Sequence, residues 1–134
     1  MNKLFFLCRN KIALFAIFCT LVCGCSDIPF EKNPAFEVIN KSSGVIKFID
    51  IKIISGDKKA TDILIFKNLA ANSKSYEAVN ISYLSIQGDG SYQVFATLED
   101  GKTLQKTFGY ITNGSDMAKK AYLIEIHESE IILK

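Results

Sequence analysis

An all-β sandwich is the fold class that three observations predict for this 134-residue chain. Apolar and polar residues alternate in short runs, clusters of Gly, Asn, Asp and Ser separate the runs at regular intervals, and no stretch after residue 34 has the three-and-four spacing of a long helix. Alternation gives each strand one apolar face, and several such faces are buried together only when two sheets pack. The expectation is an immunoglobulin-like or transthyretin-like sandwich of about seven antiparallel strands, preceded by a helical signal peptide. An open barrel is the main rival.

The first run places Phe36 and Val38 on one side of Glu37, and Asn40-Lys41-Ser42-Ser43-Gly44 turns the chain into Val45–Ile54. That second run is the most hydrophobic, and its alternation slips. Ile46 and Phe48 are in one phase, whereas Ile49, Ile51 and Ile53 are in the other. A β-bulge produces this one-residue change of face, and burial on both faces near Phe48 gives the same letters. Ser55–Lys59 reads as a turn, Ile63–Phe66 as a strand and Asn68–Ser73 as a loop. Tyr76–Ile86 reads as another long strand with Val79, Ile81 and Tyr83 on one side, closed by Gly88-Asp89-Gly90.

The best-defined unit is a hairpin around Asp100-Gly101. Tyr92, Val94, Ala96 and Leu98 alternate going out; Leu104, Phe108 and Tyr110 alternate coming back. A two-residue Asp-Gly loop would set Leu98 against Thr103 and Val94 against Thr107, burying threonines. A three-residue loop, Glu99-Asp100-Gly101, sets Ala96 against Leu104 and Tyr92 against Phe108, so a type I turn with a left-handed Gly101 is predicted. Gly109, inside a strand, implies a bulge or a close backbone approach, and Asn113-Gly114 a positive-φ turn. Asp116–Lys120, with Ser115 as a cap, offers one helical turn at most. Tyr122, Ile124 and Ile126 form a further strand before Glu128-Ser129-Glu130 and Ile131–Lys134.

Three of these pieces, Asp89-Gly90-Ser91-Tyr92, Asp100-Gly101 and Phe108-Gly109-Tyr110-Ile111-Thr112-Asn113-Gly114, occur together in one order. In that order they resemble small, functionally unassigned Gram-negative lipoproteins. The resemblance covers about residues 88–114 and implies a shared fold without an activity.

The amino terminus supplies an address. Lys3, Arg9 and Lys11 precede the apolar run Ile12–Val22, which is the pattern of a secretory signal peptide. The run falls short of the roughly 20 apolar residues a transmembrane helix needs, so an uncleaved single-pass anchor is the lesser alternative. Leu21-Val22-Cys23-Gly24-Cys25 reads as a lipobox, and residues 1–26 resemble bacterial lipoproteins. The resemblance implies cleavage between Gly24 and Cys25, lipidation of Cys25, and, with Ser26 next, release to the periplasmic face of the outer membrane. Residues 1–24 are then the signal peptide, 25–33 the lipid anchor and tether, and 34–134 the domain.

Segmentation removes two attractive ideas. The whole chain has 16 Lys+Arg against 14 Asp+Glu, but three of the basic residues and none of the acidic ones precede Cys25, so the product carries 13 against 14. That near-neutral balance, without a basic stripe, gives no reason to expect nucleic acid binding. Cys8, Cys19 and Cys23 leave with the signal peptide, and a thioether at Cys25 has no thiolate for a disulfide or zinc.

No catalytic constellation emerges either. His127, the one histidine, is out of phase with Ile124 and Ile126 beside Glu125 and Glu128, and is expected on the solvent face. Ser55-Gly56-Asp57-Lys58 matches the S-x-x-K of penicillin-binding enzymes but falls in a turn, outside the helix start that chemistry needs. Asp89 among glycines lacks the six or so oxygen ligands of calcium. Metal, cofactor and catalytic residues are therefore expected to be none. The expected function is a non-enzymatic, periplasm-facing, membrane-anchored module that binds another protein, with Tyr83 and Tyr110 as contact candidates. An immunity or inhibitor role is its narrower form, and a structural or accessory part of an envelope assembly is the alternative.

Overall fold

The structure is a computed structural model that describes residues 33–56, 59–84, 86, 88–116 and 121–134. The expected signal peptide, with Gly24 and Cys25, and all of the expected tether except Asn33 lie outside those residues.

Among the described residues nine strands form two sheets, which is the sandwich class expected. One sheet has the order β4 (Lys74–Ala78), β1 (Ala35–Asn40), β8 (Tyr122–Ile126), β9 (Ile131–Leu133). The other runs β3 (Ala60–Leu69), β2 (Ile46–Ser55), β5 (Asp89–Leu98), β6 (Thr103–Thr112), β7 (Ser115–Asp116). The expected strands were all antiparallel, but β1 and β8 are parallel, Phe36 opposite Tyr122 and Asn40 opposite Ile126. Parallel neighbours need a long crossover, and here it comprises the whole of the other sheet together with β4. The core lies between the sheets, with Phe36, Val38, Ile124 and Ile126 from one and Ile46, Ile49, Ile51, Ile53, Tyr92 and Val94 from the other, all fully or almost fully buried. At roughly 1.5–3 kcal/mol for each large apolar side chain removed from water, these inner faces supply the main driving force.

The slip in the second run is a bulge. Against β5, Ile46 pairs with Leu98 and Phe48 with Thr97, so Lys47 and Phe48 together occupy one position. Ile46 and Ile49 consequently both face the core, and Phe48 is left 37% exposed, which removes the reading of burial on both faces. A second irregularity lies between β2 and β3: Ile51 pairs with Leu64 but Lys52 with Asp62, leaving Ile63 over. It brings Asp62 onto the outer face, where Lys52 Nζ lies 2.9 Å from Asp62 and 3.0 Å from Asp50. Pairing with β2 also extends the strand expected over Ile63–Phe66 to ten residues.

Tyr76–Ile86 is not one strand. β4 ends at Ala78, and Asn80 Oδ1 then accepts hydrogen bonds from the Ser82 N–H (2.9 Å) and hydroxyl (2.6 Å). That side-chain turn offers the backbone an alternative to the ladder. Ile81 still enters the core at 0% exposure, while Tyr83 is thrown out to 68%. Similarly, Ser115 and Asp116 pair with Thr112 and Ile111 instead of starting a helical turn; residues 117–120 lie outside those described.

The hairpin has the expected register, Ala96 opposite Leu104 and Tyr92 opposite Phe108. The Gly101 N–H donates to Leu98 O (3.1 Å) and the Leu98 N–H to Lys102 O (2.8 Å), with Gly101 at φ 87°. No atom lies within 4 Å of a Cβ built there, so only backbone strain opposes a side chain. Gly101→Val should lower unfolding free energy by about 1–2 kcal/mol in urea titration, the cost of a left-handed β-branched residue; an unchanged midpoint would contradict the left-handed turn.

At the same end of the sandwich, Asn40 closes the turn that follows β1. Its amide donates to Gly44 O (2.8 Å) and Leu69 O (2.9 Å), and its carbonyl accepts from the Ser42 N–H and hydroxyl. A fully buried amide with its partners present ties the end of β1 to the end of β3 across the two sheets.

Candidate functional site

The end of the sandwich opposite that hairpin gathers the starts of β1, β5 and β8 and the end of β6, and it presents both tyrosines singled out in the sequence. Its foundation is an aromatic cluster. Phe36 stands edge-on to Tyr92 (centroids 5.1 Å) and stacked on Tyr122 (5.7 Å), and Phe108 packs edge-on to Tyr122 (5.0 Å). Such pairs add about 0.5–1.5 kcal/mol each to the area they bury.

Burying tyrosines requires partners for their hydroxyls, and Asp116 provides them. Tyr92 Oη donates to Asp116 Oδ2 at 2.8 Å and Tyr122 Oη to Oδ1 at 3.0 Å, with Asp116 itself fully buried. Burial, reinforced by the carboxylate, holds both phenols well above the ordinary tyrosine range, so they stay protonated donors.

Gly109 makes room for this cluster and breaks the strand above it. Gly90 pairs with Ile111 while Tyr92 pairs with Phe108, so a bulge falls at Gly109-Tyr110, and Gly109 has φ 66°. A Cβ there would lie 2.7 Å from both Tyr122 Oη and a Tyr92 ring carbon. Both sequence readings, a bulge and a close approach, hold at this one residue. Beyond the bulge Tyr110 turns outward, 49% exposed, and its hydroxyl bonds the Asp89 carboxylate. That hydrogen bond, with a second from Thr112, lowers the Asp89 carboxyl below its usual range and raises Tyr110.

Tyr83 sits in the neighbouring loop. Ile81 pins that loop to the core, the Leu84 N–H donates to Ile81 O at 3.1 Å, and the Asn113 N–H bonds Gly88 O at 3.1 Å. Asn113 and Gly114 have φ of 47° and 73° in a two-residue turn between Thr112 and Ser115. Tyr83 and Tyr110 are thus exposed rings on tightly tied backbone, which lets them contact a partner at little ordering cost.

Several expectations about charged groups change. Glu125, beside His127, is buried with 9% exposure; Lys134 Nζ lies 2.9 Å from its Oε1 and lowers its pKa. His127 is half-buried rather than on an open face, with Nε2 3.7 Å from Glu125 Oε2 and no hydrogen-bond partner for that nitrogen. Ser55, first residue of the S-x-x-K match, donates its hydroxyl to Lys59 O at 3.2 Å, closing a turn; Asp57 and Lys58 lie outside the described residues. Among the described residues no group of three or more His, Cys, Asp and Glu is placed to hold a metal ion. At the hairpin end, a cleft of about 320 Å³ is lined by Ser43, Gly44, Val45, Glu99, Asp100 and Glu128. Its carboxylates are engaged by protein donors: the Ser43 N–H bonds Glu128 at 2.7 Å and the Val45 N–H bonds Glu99 at 3.2 Å.

The sequence reading missed three exposed apolar side chains, Phe48, Ile65 at 45% and Tyr76 at 63%. For Phe48 the broken alternation was the signal, since a bulge must leave one phase outside.

No protein-family model matches the chain, and no curated protein matches it. Among solved structures it is similar to a protein from Eubacterium rectale determined by NMR, at 15% identity over 82% of this chain and 94% of that one, with a TM-score of 0.49.

Proposed function

We propose that this chain is a non-enzymatic module, lipid-anchored through Cys25 at the periplasmic face of the outer membrane, that binds another envelope protein with the end carrying Tyr83 and Tyr110. An immunity or inhibitor role is the narrower form of this reading. The observation that carries it is the pairing of two exposed tyrosine rings with a rigid support: Tyr110 fixed through Asp89 and the Gly109 bulge, Tyr83 on a loop nailed down by Ile81. Tyrosines of this kind are favoured anchors because they bring much contact area and few rotatable bonds. β1 starts at this same end, so the tether of residues 25–33 leaves from it. At up to roughly 3.5 Å per residue, those nine residues can hold the end about 30 Å from the bilayer, room for a small partner.

Affinity capture with the full chain from envelope extracts tests the reading. One reproducible protein should be retained, and Tyr83→Ala with Tyr110→Ala should release it while thermal stability stays unchanged. Retention of the same protein by the double variant would move the contact elsewhere. The full chain should incorporate labelled palmitate and Cys25→Ala should abolish that incorporation; equal labelling of the two would contradict the lipid anchor.

A further inference from the structure

We propose that β3 is a self-association edge, on which two copies of this chain pair antiparallel across a two-fold axis at Ile65 and join their five-stranded sheets into one. β3 closes that sheet in strand order, and among the described residues no strand pairs with its outer side. It is ten residues long, whereas the terminal strands of the other sheet, β4 and β9, have five and three. The opposite edge of its own sheet is interrupted by the Gly109 bulge and closed at one end by β7. Long edges are templates for a further strand unless bulges or charges break them; β3 carries a bulge at Ile63 and a left-handed Asn68 (φ 53°), and its charges, Asp62 and Lys67, complement one another when the strand is reversed.

Register identifies the occupant. On the outer face, Phe48, Asp50 and Lys52 of β2 stand opposite Lys67, Ile65 and Asp62 of β3. The leftover residue Ile63 places Asp62 two ladder steps from Ile65, the same distance as Lys67 on the other side. Without that bulge Asp62 would fall in the opposite phase. The row Asp62, Ile65, Lys67 is therefore its own complement when reversed: a second copy turned about Ile65 sets Lys67 against Asp62 twice and Ile65 against itself. A slip of two residues would oppose Ile65 to Lys67 and lose both pairs, and a slip of one would turn the core face outward. Ile65 is 45% exposed, and the Asp62 side chain, whose Oδ1 meets Lys52 Nζ at 2.9 Å, is still 58% exposed, so a second cation can reach it. Lys67 carries its ammonium 5.7 Å over the Phe48 ring, which adds an apolar flank to the seam.

Such an axis runs perpendicular to the sheet and reverses strand direction, so the two copies send their tethers from opposite ends. Two copies anchored in one leaflet lie with their strands along the bilayer. This inference is independent of what binds Tyr83 and Tyr110, which lie away from β3.

The test is the mass of the full chain in mild detergent by light scattering across a dilution series. A dimer is expected, and Ile65→Lys should weaken it by roughly 30-fold, equivalent to about 2 kcal/mol at 1.4 kcal/mol per tenfold. Lys67→Asp should weaken it as well, and Asp62→Lys combined with Lys67→Asp should restore it. In the wild-type dimer, carbodiimide should link Lys67 of one chain to Asp62 of the other, a readout that does not depend on any variant folding. A monomer at all concentrations, a dimer indifferent to Ile65→Lys, or links only within one chain would overturn the proposal; in the first case the edge is left to a strand of a different protein.

Discussion

Gly109→Ala should destabilise the domain by about 3 kcal/mol, roughly twice the effect of Gly101→Ala. Both glycines have positive φ, at 66° and 87°, so both substitutions force a left-handed alanine at a cost of roughly 1–2 kcal/mol. They differ in what the new methyl meets. At Gly101 it meets nothing within 4 Å, whereas at Gly109 it lies 2.7 Å from Tyr122 Oη and from the Tyr92 ring. Those rings are locked against Phe36 and Phe108 and tied to Asp116, so they cannot retreat without breaking a hydrogen bond or opening the cluster. Overpacking of a tight core adds about 1–3 kcal/mol. Urea midpoints of the two variants measure the difference directly. Equal losses would show that the backbone, and not the aromatic cluster, requires Gly109.

The second large effect is alkaline. Tyr92 and Tyr122 have folded-state pKa values raised above the usual 10, by burial first and by Asp116 second. A group raised in the folded state contributes stability that is complete below its unfolded pKa and lost as pH rises beyond it. Above about pH 10 the unfolded chain releases phenolic protons that the folded chain retains, and unfolding free energy falls by up to roughly 1.4 kcal/mol per pH unit for each tyrosine. Lys52, Lys74 and Tyr110 are also raised by their carboxylate partners and act in the same direction, but they are exposed and screened. Tyr92→Phe separates the two sources, because it should remove about half of the tyrosine slope between pH 10 and 11.5. A slope unchanged in Tyr92→Phe would remove Tyr92 as a source of the alkaline loss and contradict this account.

How much of this was legible depends on the range of the interaction concerned. Local rules sufficed for the hairpin: Asp100-Gly101 and the parity of Ala96 and Leu104 fixed a three-residue loop before any tertiary contact was considered. They also sufficed for the bulges, since a broken alternation or a glycine inside a strand is itself the signal. Parity failed where a side chain competed with the ladder. Asn80 turns the chain toward Ser82 inside a run whose alternation resembles a strand, so Ile81 and Tyr83 leave the sheet. It failed again where burial is decided by distant residues. Asp116 looks like a loop carboxylate until Tyr92 and Tyr122 arrive from two other strands, and Glu125 looks solvated until Lys134 folds over it. The parallel pairing of β1 with β8 spans more than eighty residues and has no local signature. At the end proposed to bind a partner, Tyr83 and Tyr110 were contact candidates whose alternation put them in phase with Ile81 and Phe108; the Asn80 turn and the Gly109 bulge expose them, and their convergence on one end comes from topology.

The central claim, that this end binds a protein, is tested most directly by a photo-crosslinking residue placed at position 83 or 110 of the full chain in intact cells, with position 105 on the outer face of β6 as control. Adducts of one defined mass from positions 83 and 110, absent from 105, are the predicted result. No adduct at either tyrosine position, or the same adducts at all three, would contradict the account.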